Sequence, residues 1–182
     1  MPLNRTIRWR PLASGGLEHL RLSDWGHVIK ARGNLIGEDA GRQFALSYEI
    51  NLTPDWTFET AVIQTDSGVM LILSRDRDGA WYQSSTGLPE LAGCVDIDLS
   101  GSPFTNTLPV RRISDWVIGE PRRLEMAYID LPDLGVRRDV QIYTRLSDTL
   151  FRYESGDGDF AAEIAFDPDG LVLDYPPLFT RS

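Results

Sequence analysis

A two-residue hydrophobic alternation recurs along most of this chain, and it constrains the fold more than any other feature. Phe44, Leu46, Tyr48, Ile50 and Leu52 alternate with Ala45, Ser47, Glu49 and Asn51. Leu124, Met126 and Tyr128 repeat the pattern, as do Val140, Ile142, Thr144 and Leu146, and again Phe160, Ala162, Ile164 and Phe166. Successive side chains of a strand point to opposite faces, so period two marks a half-buried strand. Between the runs lie Thr65-Asp66-Ser67-Gly68, Asp76-Arg77-Asp78-Gly79, Gly156-Asp157-Gly158-Asp159 and Asp167-Pro168-Asp169-Gly170. These residues tolerate positive φ or pre-set a turn. Strands at that spacing predict hairpins, and so an antiparallel meander of roughly ten or eleven strands. Helical candidates are short: Pro89 to Gly93, and Thr107 to about Ser114, where Pro109 falls in the first turn and removes no helical hydrogen bond.

Two segments do not suit a flat meander. Val69 to Leu73 is apolar on both faces, and Trp56 to Ile63 is so in part. A strand buried on both sides needs cover on both sides, and few helices are available. A sheet that curls until its inner face packs on itself or lines a pocket resolves the conflict. The 16 glycines and 11 prolines suit such a turn-rich sheet. No linker or low-complexity segment interrupts the sequence, so residues 1–182 read as one domain.

Charge and composition narrow the function. A net charge of −9 disfavours phosphate-rich partners, and the basic residues form only pairs, Arg111-Arg112, Arg122-Arg123 and Arg137-Arg138. No nucleic-acid partner is expected. Cys94 is the single cysteine and there are only His19 and His27, so neither a disulfide nor a zinc site is expected. The sequence carries no Gly-x-Gly-x-x-Gly or phosphate-loop pattern, and no cofactor is expected. The start, Met1 to Arg5, leads into no apolar run, and the longest such run is Val69 to Leu73. The reading is therefore a cytoplasmic protein with no secretory signal and no transmembrane segment.

The densest chemistry lies between Cys94 and Arg112. On a strand, Cys94, Asp96 and Asp98 share one face, and Val95, Ile97 and Leu99 the other. The two aspartates would stand roughly 6.5–7 Å apart, within the range of about 6.5–9.5 Å for an inverting glycosidase pair. Every acidic pair two residues apart on a strand meets that criterion. The alternative is structural: the aspartates accept hydrogen bonds from Thr105 and Asn106, or pair with Arg111 and Arg112. Such pairing would lower their pKa values, which is the wrong direction for a general acid. Ser102 to Thr107 can cap the following helix, and Thr105 and Asn106 can also grip sugar hydroxyls. Tyr143 shares a strand face with Gln141 and Arg145, and Tyr153 sits between Arg152 and Glu154. Such a face fits either a sugar-like ligand or plain solvent.

These residues carry a resemblance. Gly93 to Asp98, followed by Ser102 to Pro109 and Arg111-Arg112, is similar to the central motif of a bacterial family of putative glycolipid-binding proteins. Gly16-Leu17-Glu18-His19, Gly79-Ala80-Trp81, Gln141-Ile142-Tyr143, Tyr153-Glu154-Ser155 and Gly170 to Pro176 extend the likeness over almost the whole chain. The resemblance implies a mainly β fold: a strongly curved antiparallel sheet forming a half-open β-barrel, with a few short helices near the concave side. It is similar to the carriers of lipoproteins in the periplasm. It also implies non-enzymatic binding of a lipid or glycolipid-like amphipathic ligand, met at the inner membrane face. The ligand-binding candidates are Glu18, Trp81, Asp96, Asp98, Thr105, Asn106, Arg111, Arg112, Gln141, Tyr143 and Tyr153. Two alternatives stay open: a sugar- or glycolipid-processing enzyme using Asp96 and Asp98, and a structural or protein-interaction domain without ligand.

Overall fold

A computed structural model describes residues 3–182. The chain is mainly β. The first half forms β1 (Asn4–Pro11), β2 (Leu17–Asp24), β3 (Ile29–Asp39) and β4 (Arg42–Leu52). It continues through β5 (Phe58–Thr65), β6 (Met70–Arg75), β7 (Trp81–Gln83) and β8 (Thr86–Gly87). A single 3-10 turn at Pro89–Leu91 leads to β9 (Asp96–Leu99). A second 3-10 turn (Pro103–Asn106) runs into α1 (Thr107–Arg112). The second half is β10 (Pro121–Asp130), β11 (Gly135–Arg145), β12 (Leu150–Ser155), β13 (Ala161–Phe166), β14 (Val172–Tyr175) and β15 (Phe179–Arg181).

All fifteen strands belong to one sheet, in the order β8 to β1, then β15 to β9. Each half is thus a meander, and the terminal strands β1 and β15 pair in the middle, Trp9 opposite Arg181. Pairing is antiparallel except between β9 and β10, where Asp96 lies beside Met126 and Asp98 beside Tyr128. The ladder does not close, and β8 and β9 are its two edges.

Connectivity alone forces this sheet to bend. Laid flat, fifteen strands spaced ~4.8 Å apart would place β8 and β9 roughly 65 Å from each other. The segment that joins them, residues 88–95, can span only about 30 Å. Contacts between the two halves of the chain agree. The Trp81 Nε1–H donates to the Cys94 carbonyl at 2.9 Å, and Arg42 on β4 forks onto Asp133 in the β10–β11 turn at 2.8 and 3.0 Å.

One row of each strand fills the enclosed space. Trp9, Leu20, Leu22, Ala31, Ile50, Leu52, Ile63 and Leu73 are fully buried. The second 3-10 turn and the start of α1 lie inside as well, with Phe104 and Leu108 inaccessible. Ser102 caps this turn by accepting the Phe104 N–H at 3.2 Å.

The structure departs from the sequence reading in three places. Fifteen strands replace ten or eleven, because β7, β8 and β15 have only two or three residues, too few to show a period. The apolar run at Val69–Leu73 is not buried on both faces. Leu71 and Leu73 point inward, while Val69, Met70 and Ile72 are exposed beside Val62. On β11 the fully buried row is Gln141 and Tyr143, with Val140 and Ile142 only half-buried. Hydrogen-bond partners on β9 and in the second 3-10 turn make that burial tolerable.

Gly33 on β3 has a packing role. A Cβ there would fall 2.1 Å from Cζ of Tyr48. The phenol lies across the bare backbone and reaches Glu18 on β2. Gly33→Ala is expected to displace the ring and cost about 1–3 kcal/mol. Gly15→Ala, with open space around its Cβ, serves as the control in the same urea titration.

Candidate functional site

Two clefts open along one side of the curved sheet. The first, about 290 Å³, is lined by Trp9, Glu18, Leu35, Phe44, Leu131 and carboxylates from β3 and β10. The second, also about 290 Å³, is lined by Asp98, Asn106, Asp139, Tyr153, Asp157 and Tyr175. Ser100, Tyr128, Leu178 and Phe179 border both, so the two meet.

Aromatic rings form one wall of the second cleft. Tyr143 meets Tyr153 edge-on at 5.4 Å between centroids, Tyr153 meets Tyr175 at 6.1 Å, and Tyr175 meets Phe179 at 6.2 Å. These rings come from β11, β12, β14 and β15, which belong to the same half of the sheet. Burial pushes the phenols of Tyr143, Tyr153 and Tyr175 upward, with nearby Asp98 adding to the rise. At neutral pH they remain uncharged hydrogen-bond donors.

The opposite wall is polar and tightly cross-linked. Asp98 accepts from the Thr105 hydroxyl at 3.0 Å and from the Gln141 amide. Thr105 also accepts the Leu99 N–H at 3.1 Å, which ties β9 to the turn that follows it. The Asn106 amide donates to the Tyr143 hydroxyl at 2.8 Å. One residue pair away, Arg112 forks onto Asp96 with bonds of 2.7 and 3.0 Å. Asp96 is only 1 % exposed and borders neither cleft.

The pKa expectation for this pair reverses. Burial raises both Asp96 and Asp98, and the bonds from Arg112, Gln141 and Thr105 only partly offset it. Desolvation of a carboxylate inside the sheet outweighs one or two favourable donors. Cys94 is a buried thiol whose pKa is pushed up to about 11, which makes it a poor nucleophile.

Glu18 lies in the first cleft at 2 % exposure. Its Oε1 accepts the Tyr48 hydroxyl and, at 2.7 Å, the Ser102 hydroxyl. Its Oε2 is buried and has no hydrogen-bond partner among the described residues. Burial pushes the Glu18 carboxyl up to about 7, against the lowering effect of both hydroxyls.

The structure therefore brings together most of the sequence-derived candidates. Asp98, Asn106 and Tyr153 line the second cleft, and Thr105, Gln141 and Tyr143 are buried in contact with them. Glu18 joins them through Ser102. Asp96 and Arg112 brace the cluster from behind. Two candidates lie elsewhere. Trp81 is buried at the far end of the sheet, stacked on Phe58 at 5.0 Å, and Arg111 sits over the Trp56 ring at 4.9 Å. Sequence reasoning did not select Trp9, Phe44, Tyr128, Tyr175, Leu178 or Phe179 as cleft residues. The only signal for them was aromatic or aliphatic character beside a turn, which core residues share.

Relatives give this geometry a context. The family described as "Putative glycolipid-binding" matches residues 6–181. No curated protein matches the chain. A crystal structure of a DUF1089 family protein from Pseudomonas aeruginosa is 35% identical, covers 92% of both chains and superposes with a TM-score of 0.82. With nearly every residue inside the matched span, this chain belongs to the family described as putative glycolipid-binding proteins.

Proposed function

We propose that the curved sheet acts as a half-open barrel that binds an amphipathic, glycolipid-like molecule in the two joined clefts without transforming it. One observation carries this reading. A polar cleft rich in carboxylates and hydroxyls is continuous with one walled by Trp9, Leu35, Phe44 and Leu131. Carboxylates, amides and phenols suit sugar hydroxyls, because they donate and accept at fixed angles. The apolar wall suits an alkyl chain. Each cleft lies at the lower end of the ~300–1,000 Å³ span of small-molecule sites. The fitting guest is therefore a sugar with one modest chain, not a whole two-chain lipid. The family description supports the same class of ligand. Asp96 and Asp98 are committed to Arg112, Thr105 and Gln141, which favours scaffolding over an acid–base pair.

Calorimetric titration below the micelle threshold tests the reading. Octyl β-glucoside is expected to bind, and octyl sulfate at least tenfold more weakly, because acidic groups lining the clefts outnumber the one basic lining residue, Arg137. Leu178→Arg, placed where the clefts meet and 37% exposed, is expected to abolish glucoside binding while leaving the melting temperature unchanged. Equal binding of the sulfate, or full binding by Leu178→Arg, contradicts the proposal.

A further inference from the structure

Glu18 is the one buried carboxyl in this site with an oxygen left over. Both hydroxyls arrive at Oε1, so Oε2 is the atom that carries a proton when the group is neutral and a lone, unpaired charge when it is not. A buried polar atom without a partner is costly and uncommon in native folds. It lies in a cleft whose other charged lining groups are Glu38, Asp39 and Asp130, with no basic side chain among the lining residues. Phe44 and Phe179 bring aromatic rings to the same space, and aromatic rings attract cations.

We propose that the first cleft takes a primary ammonium group of the ligand, seated on Glu18 Oε2. This rests on the amphipathic-ligand reading and specifies its polar part: the sugar sits where the clefts meet at Ser100 and Tyr128, so that its amine reaches Glu18 while its chain lies along Leu35, Phe44 and Leu131. An ammonium brings three donors and no acceptor. It matches a carboxylate oxygen that lacks a donor, and the remaining carboxylates of the cleft favour its entry. A neutral hydroxyl would satisfy Oε2 as well but would gain nothing from the charge of Glu18. At pH values below about 7, docking requires the Glu18 proton to leave to solvent. Binding of the amine therefore weakens as pH falls. Tyr48 from β4 bonds Glu18 directly, and Glu38 and Asp39 from β3 and Tyr128 and Asp130 from β10 line the same cleft, with Arg137 of β11 lying over the Tyr128 ring at 4.3 Å. Arg42, held by Asp133, is the nearby base that also feels Asp39 and Asp130. The Tyr48 and Tyr128 phenols, both pushed upward by burial, stay neutral across this range.

Two probes that differ at one atom test this: octyl β-glucoside and octyl 6-amino-6-deoxy-β-glucoside. At pH 8 the amine is expected to bind wild type at least tenfold more tightly than the alcohol. That advantage is expected to fall about tenfold by pH 6 and to be absent in Glu18→Gln. In wild type at pH 6.5, titration in buffers of different ionisation enthalpy is expected to show proton release, a readout that does not depend on the variant folding. Equal binding of the two probes overturns this inference alone, as does an advantage that survives in Glu18→Gln. Binding of neither probe overturns it together with the amphipathic-ligand reading.

Discussion

Replacing Arg112 with leucine is expected to destabilise the protein by about 3–5 kcal/mol at pH 8, the range for a buried ion pair that loses one partner. Asp96 is almost wholly buried and its two strong bonds both come from this guanidinium. Without it, Asp96 must either hold an unpaired charge or take up a proton. The penalty is therefore expected to shrink as pH falls, because a protonated Asp96 needs no counter-ion. Asp96→Asn combined with Arg112→Leu is expected to recover a large part of the loss, since no buried charge remains. Urea unfolding at pH 8 and pH 5 measures all three effects. A loss under about 1 kcal/mol at pH 8 would place Asp96 among ordinary surface pairs and leave it free for other chemistry.

Glu18 gives the second large effect, with a defined sign. Its folded-state pKa is about 7 against an ordinary 4.5. The folded protein therefore holds this proton more tightly than the unfolded chain does. The resulting stabilisation is fully present below pH 4.5 and is lost as pH rises through 7. A shift of that size corresponds to about 3 kcal/mol. Glu18→Gln keeps an oxygen to accept from Tyr48 and Ser102 but cannot ionise. The unfolding free energy of the variant minus that of wild type is expected to grow by about 3 kcal/mol from pH 4 to pH 8. A difference that stays flat with pH would mean that folding leaves the Glu18 pKa unchanged.

The residues explain how much of this was legible beforehand. Alternation on β4 and β13 identified both the strands and their inner rows, because Leu46, Tyr48, Ile50, Ile164 and Phe166 carry the apolar signal themselves. On β11 the signal ran the other way. Gln141 and Tyr143 are buried by partners that lie far away in sequence, and a period cannot report those. Val62, Val69, Met70 and Ile72 mislead for the opposite reason. Strand propensity favours such residues on either face, so apolar character alone does not prove cover. The cross-links among Asp96, Asp98, Thr105 and Arg112 were readable because they fall within one short segment. Glu18 came from the family resemblance, since a single acidic residue on a strand has no spacing to betray it. Tyr48 reaches it across Gly33 on the intervening strand, and Ser102 comes from 84 residues away in sequence. Trp81 and Arg111 share the family motifs but pack on Phe58 and Trp56, away from both clefts.

The central claim is that the joined clefts, and not the apolar outer face, receive the ligand. Amide-resolved NMR during titration with octyl β-glucoside tests it most directly. The account predicts that the largest shifts fall on Ser100, Tyr128, Leu178 and Phe179, where the clefts meet. Shifts concentrated on Val62, Met70 and Ile72, with those four amides unmoved, would contradict it.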